Sequence, residues 1–330
     1  MAVDELSIID RFFRPLAGEG SFALTDDAAS LGVPAGFEIV VTTDMVAAGV
    51  HFLANDPADS VAQKALRVNV SDLAAKGAKP FAYVLGLGLG DETGEQWLAA
   101  FADGLGRDQK THSMSLLGGD TISVAAGPVI SITAFGLLPV GRMVHRFGGR
   151  PGDALYVSGE IGAGAAGLAL LKSEAGPWDA LPEKARNILV RRYRVPEPRV
   201  ALSSALLEFA SAAMDVSDGL VGDCDKLSAA SGCAALIEAG RVPLPDGLGM
   251  VDERILARLL TAGDDYEILA AIPPRNEAGF RAAAAKAGVA VSRIGSLRAG
   301  GGKRTDVLVE GRPLPLYRRA YMHRSGETRS

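Results

Sequence analysis

Cysteine is nearly missing: Cys224 and Cys233 are the only two thiols in 330 residues. Two thiols cannot build a disulfide framework or a four-cysteine zinc site, so both read as ordinary buried small residues. Aromatic residues are scarce at 6%, and there are only four histidines. No Ser-His-Asp or Cys-His arrangement can be argued around those histidines, which removes the familiar nucleophile–base hydrolases. No apolar run approaches ~20 residues without a charge or a Gly/Pro interruption, so no membrane span is expected. Residues 1–14 carry Asp4, Glu5 and Asp10, where a secretory signal needs a basic start and an unbroken apolar stretch. A cytoplasmic protein is the expectation. An excess of basic residues is also lacking: the net charge is −5, which argues against a general nucleic-acid binder. No Walker A sequence occurs, so a P-loop enzyme is not expected.

What is there points to two mixed α/β domains, since a domain takes ~150 residues and 48% of this chain is hydrophobic. Short β-rich runs alternate with Ala/Leu-rich stretches along most of the length. Residues 37–43 read as a buried strand ending at Asp44, 59–75 as a helix, 81–89 as a strand and 96–108 as an amphipathic helix. Strands follow at 114–117 and 129–138. A turn-rich stretch at 146–152 marks the boundary, giving domains at 1–148 and 149–330. Beyond it, strands are expected at 153–158, 212–214, 234–238, 266–272 and 289–294. Helices are expected at 165–171, 220–228 and 277–287. Residues 175–185 read as a proline-punctuated connection into the basic run 191–194, and the polar tail after Glu327 as frayed. Gly162, Gly164 and Gly167 match the G-x-G-x-x-G pattern. The second strand and acidic residue ~20 positions on are absent, so the motif reads as a helix start packed closely on a strand.

The informative feature is a series of aspartates in small-residue motifs. They are Asp26-Asp27 in LTDDAA, Asp44 in TTDM, Asp72 in NVSDLAAKGA, Asp120 in GGDT, Asp215 and Asp218 in DVSDGL, and Asp264-Asp265 in AGDDYEIL. Singly, each is an ordinary helix cap or turn residue. Jointly, carboxylates near strand ends would point into a crevice, where Mg²⁺ bridges one or two carboxylates to substrate phosphates. Packed carboxylates repel unless a cation neutralises them, so the set predicts cations and the cations predict phosphates.

These motifs, in this order and over nearly the whole chain, resemble thiamine-monophosphate kinase, of the superfamily that includes aminoimidazole ribonucleotide synthetase. TTDM followed by GVHF, with NVSDLAA and GDDYE, is specific to the kinase branch. The resemblance implies an N-terminal α/β domain whose sheet joins a second copy in a dimeric β-barrel, and a C-terminal α/β domain that completes the active site. It implies transfer of the γ-phosphoryl of ATP to thiamine monophosphate, in a homodimer that requires Mg²⁺, with K⁺ as a candidate second cation. Asp27, Thr42, Thr43, Asp44, Asp72, Asp120, Asp215 and Asp218 would hold magnesium. Gly119, Asp120, Arg146 and Ser217 would contact ATP, and His51, Asp264 and Tyr321 the thiamine phosphate. Asp44, Asp72, Asp120 and Arg146 would carry the catalysis. Thr25 stands where the family has Gly, and Tyr321-Met-His323 where it has an aromatic before Asp-His. Two other readings stay open at this point: a synthetase of the same superfamily, and a non-catalytic nucleotide sensor that kept the acidic site.

Overall fold

The computed structural model describes residues 5–90, 93–249, 251–300 and 304–322. His323 and the tail after Glu327 lie outside them. The chain divides into two compact units, Met1–Met143 and Val144–Ser330.

The N-terminal unit begins with α1 (Glu5–Ile8), continued by a π-turn over Ile9–Phe13 that buries Phe12 and Phe13. It then runs β1 (Phe37–Ala47), α2 (Ala58–Ala75), β2 (Lys79–Leu89), α3 (Glu95–His112), β3 (Ser115–Ser123) and β4 (Val129–Pro139). Its sheet order is β1-β4-β2-β3, antiparallel except for β2 and β3. Parallel β2 and β3 need a crossover, and α3 supplies it. Helix α2 is apolar on most sides, burying Val61, Leu66, Val68, Val70 and Leu73, because it lies between the sheet and α3. Leu98, Phe101, Ala102 and Leu105 give α3 the single apolar stripe of an outer helix.

The sheet is open, with β1 and β3 as free edges rather than a closed barrel. Its other face is uncovered and exposes large apolar side chains: Val41 is 56%, Met45 60% and Ile122 56% exposed. Strand β1 is therefore not the buried strand expected, and it runs three residues past Asp44.

The C-terminal unit contains β5 (Ala154–Ser158), α4 (Ala163–Leu171), α5 (Glu183–Arg194), α6 (Ser203–Phe209), β6 (Ala212–Val216), α7 (Leu220–Ala230) and β7 (Ala234–Glu238). It continues with α8 (Glu253–Thr261), β8 (Glu267–Ile272), α9 (Glu277–Lys286), β9 (Val291–Arg298), β10 (Asp306–Val309) and β11 (Arg312–Pro313). These strands form one seven-stranded sheet, ordered β11-β10-β7-β9-β5-β8-β6. Its core joins Leu155, Val157, Leu269 and Ile294 of the sheet to Leu220, Cys224 and Leu227 of α7 and Leu256 and Leu260 of α8. A second cluster surrounds the fully buried Trp178 with Ala166, Leu189 and Leu259.

Four helices, α1, α5, α6 and α8, were not expected from the sequence. Prolines suggested irregular chain over 175–185, but Pro182 directly precedes α5, where a missing N–H costs nothing. Helix α8 opens on Asp252, whose carboxylate accepts from the Ile255 amide at 2.8 Å. The G-x-G-x-x-G stretch does open a helix, α4, but it packs on α5 and on the turn at Asp264 rather than on a strand. Among the described residues, no helix is long and apolar enough to cross a membrane.

Candidate active site

In the N-terminal unit the expected residues fall into three groups. On the helix-covered face, Thr42 of β1 donates its hydroxyl hydrogen bond to Asp72 Oδ2 of α2 at 2.5 Å. Asp44, two residues along β1, shares that face. Thr43 points the other way; its hydroxyl donates to Ile132 O at 3.2 Å and accepts from Thr133 Oγ1 at 3.0 Å.

Register places Asp120 opposite Asp44's face. Asp44 aligns through Ile132 and Leu85 with Gly119, whereas Met45 aligns through Ser131 and Gly86 with Asp120. Both carboxylates were expected at strand ends; both lie inside strands. Asp26, Asp27, Gly118, Gly119 and Asp120 line a cavity of about 390 Å³, with apolar walls from Phe13, Leu24 and Leu116. Gly119 is required there, because an added Cβ would sit 1.9 Å from Leu85 O. Asp120 Oδ1 accepts from the Thr121 amide at 2.9 Å. Thr25 takes an ordinary φ of −110°, and its hydroxyl closes a turn onto Phe22 O at 2.7 Å, so the chain before Asp27 needs no glycine.

His51 closes a turn at the end of β1. The Ala47 amide donates to His51 Nδ1 at 3.1 Å, which makes Nε2 the protonated nitrogen of the neutral ring.

In the C-terminal unit, backbone hydrogen bonds gather four expected residues. The Asp264 amide donates to Ser217 O at 3.0 Å, the Tyr266 amide to Val216 O at 2.8 Å, and the Tyr321 amide to Asp218 O at 2.8 Å. Asp215 lies in β6 and is 6% exposed. Arg146 is exposed; the carbonyl of its neighbour His145 accepts from the Ala213 amide at the start of β6.

Sequence reasoning missed the groups that hold these residues. Lys226 of α7 bridges Asp218 at 2.5 Å and Asp223 at 2.7 Å. Asp223 also accepts from the Asp218 and Gly219 amides, capping α7; burial raises its pKa, against the pull of Lys226. Asp265 is buried and accepts from the Gly162 amide at 2.8 Å and the Gly164 amide at 3.1 Å. Burial pushes its carboxyl up to about 8, while the two amides pull it down. Glu267, 1% exposed, takes Arg199 Nε at 2.7 Å and Ser158 Oγ at 2.5 Å. The spacing of Asp223 from Lys226 was a legible helix signal; the partners of Asp265 and Glu267 lie about 70 to 110 residues away in sequence.

Among the described residues, no three His, Cys, Asp or Glu side chains converge as a ready-made metal cluster. The donors present are all oxygen, one or two per locus, which fits Mg²⁺: it keeps several waters and takes its remaining ligands from substrate phosphates.

Residues 25–138 match the family model for the N-terminal domain of AIR synthase related proteins, and 150–307 match that for their C-terminal domain. A thiamine-monophosphate kinase of Caulobacter vibrioides is 41% identical over 97% of this chain and 90% of its own length. One from Escherichia coli K12 is 37% identical over 98% and 99%. The crystal structure of thiamine-monophosphate kinase from Stenotrophomonas maltophilia superimposes with a TM-score of 0.81 at 33% identity, over 95% of this chain and 98% of that one. A structure of AaThiL complexed with AMPPCP and TMP does so with 0.75 at 28% identity, over 98% and 99%. With both domain models matched and relatives aligned from end to end, the chain belongs to the thiamine-monophosphate kinase family.

Proposed function

We propose that this chain transfers the γ-phosphoryl group of ATP to thiamine monophosphate, giving thiamine diphosphate and ADP. The observation that carries the reading is the near full-length match to a relative complexed with AMPPCP and TMP, with the acidic motifs of both units in place. The acceptor is a phosphate monoester whose second pKa is near ~6, so it is already an anionic nucleophile at neutral pH. No general base is needed. An acceptor oxygen attacks the γ-phosphorus, the bond to the β–γ bridging oxygen breaks, and its electrons leave with ADP. The transfer is direct, without a phosphoenzyme.

The catalytic burden is then alignment and charge neutralisation. Magnesium, when bound, supplies neutralisation between the two phosphate groups. The residues that would hold magnesium ions through oxygen are Asp27, Thr42, Thr43, Asp44, Asp72 and Asp120 of the N-terminal unit and Asp215 and Asp218 of the C-terminal unit, at separate loci. Gly119 and Asp120, at the cavity edge, would contact ATP, as would Arg146 and Ser217. His51, Asp264 and Tyr321 contact thiamine monophosphate. The exposed apolar side chains of Val41, Met45 and Ile122 on the uncovered face support a homodimer in which two four-stranded sheets close into a barrel. The protein acts in the cytoplasm, and K⁺ is a second cation to test.

The test follows thiamine diphosphate by chromatography in a mixture of protein, ATP, Mg²⁺ and thiamine monophosphate. Product in step with ADP, lost on chelation, is expected. ADP without thiamine diphosphate would move the acceptor elsewhere in the superfamily. A labelled phosphoenzyme trapped during turnover with [γ-³²P]ATP would overturn direct transfer.

A further inference from the structure

The turn Asp264–Asp265–Tyr266 is held in a backbone form that its residues avoid. Asp264 has φ +71° and Tyr266 φ +51°, left-handed values that are uncommon for aspartate and an outlier for a bulky aromatic. Such a conformation persists only where the surroundings over-determine it. Two contacts from the start of α4 do so. The buried Asp265 carboxyl takes the Gly162 amide at 2.8 Å and the Gly164 amide at 3.1 Å. Gly164 also lets α4 approach until an added Cβ would sit 2.4 Å from Asp264 O. On its other side the turn hangs from Ser217 O and Val216 O through the Asp264 and Tyr266 amides. The Tyr266 hydroxyl reaches Asp264 Oδ1 at 3.3 Å.

We infer that Asp265 and Gly164 are positioning residues for thiamine monophosphate: the start of α4 fixes the left-handed turn, and the turn fixes where Asp264 presents its carboxylate. The inference rests on the reading above that Asp264 contacts that substrate. It gives adjacent aspartates different duties, with Asp264 half-buried at the turn and Asp265 turned into the protein.

Two variants disturb the same contact by unrelated means. Asp265→Asn replaces one acceptor oxygen by a donor that faces an amide; Gly164→Ala pushes on Asp264 O and alters no charge. In both, KM for thiamine monophosphate is expected to rise about tenfold or more while KM for ATP stays within about twofold. Amide hydrogen exchange at Asp264 and Tyr266 should speed up in both, with α9 protection unchanged as the check on folding. Faster exchange with unaltered KM would make the contact merely structural and overturn the inference. Wild-type exchange in a folded Gly164→Ala protein would overturn it as well. Wild-type protein that makes no thiamine diphosphate would sink the proposed reaction instead, and leave the exchange rates to decide whether α4 sets the turn.

Discussion

Two groups of acidic residues, one in each unit, are used in opposite ways. In the N-terminal unit Asp26, Asp27 and Asp120 are exposed along an open cavity. In the C-terminal unit three buried acids are spoken for: Asp223 by Lys226 and two amides, Asp265 by two amides, Glu267 by Arg199, Arg192 and Ser158. A buried carboxylate without a partner is costly, so these three interior acids are struts of the fold; exposed ones keep their water and can exchange it for a cation. An aspartate-rich sequence therefore marks a site without saying which members are ligands.

The largest effect that would sharpen this contrast is on activity. Asp44→Asn should lower kcat at least about 100-fold, as losing one preorganised charge contact does, with little change in unfolding temperature. Near-normal turnover would remove Asp44 from the ligand set. Gly119→Ala tests the cavity edge by packing alone. Its new Cβ would meet Leu85 O at 1.9 Å, so β2 and β3 must part. A cost of about 1–3 kcal/mol is expected, read as lost amide protection confined to the N-terminal unit. Unchanged protection would mean that β3 is free to shift at this edge.

Lys226→Met breaks the contrast from the other side. It leaves Asp223 buried with amides only and frees Asp218 from its ammonium. Lys226 is 38% exposed, so solvent screening holds the stability loss to about 1–2 kcal/mol. If Asp218 is a cation ligand, the same variant should reach half-maximal rate at lower Mg²⁺. An unchanged Mg²⁺ dependence would class Asp218 with the struts.

Much of the fold was legible where local chemistry decides it. The β-branched runs at 129–138 and 37–43 form strands, and 59–75 forms a helix, because those patterns suit one geometry. Strand β1 was misjudged because the apolar run with Phe37 and Val41 suggests burial, yet that face of the sheet is uncovered in a single chain. Helix α8 was missed although Asp252 and paired apolar positions announced it. For the candidate site, the motifs singled out Asp72, Asp120 and Asp264 but could not say that Asp44 and Asp120 lie on opposite faces. That depends on the register of four strands, which no local pattern encodes. The amides of Gly162 and Gly164, about 100 residues before Asp265, were equally silent.

The smallest effect per step is a pH dependence that separates a strut from a ligand without touching activity. Burial, with the nearby charges of Glu267 and Asp264, raises the Asp265 carboxyl to about 8, against the two amides that favour its ionised form. In the unfolded chain it titrates near ~3.9. Below about pH 4 both states hold the proton, and the group adds no slope. Between about 4 and 8 the unfolded chain has released a proton that the folded chain keeps, so stability falls as pH rises, by at most ~1.4 kcal/mol per unit. Above about 8 both are ionised and the slope ends. Protection of the Tyr266 amide, corrected for intrinsic exchange, should therefore decline from about pH 5 to about pH 8 in wild type and stay level in Asp265→Asn. An equal decline in both proteins would place the titration on another group. A level wild-type profile would mean that the two amides outweigh burial and hold Asp265 ionised, as a fixed negative charge behind Asp264.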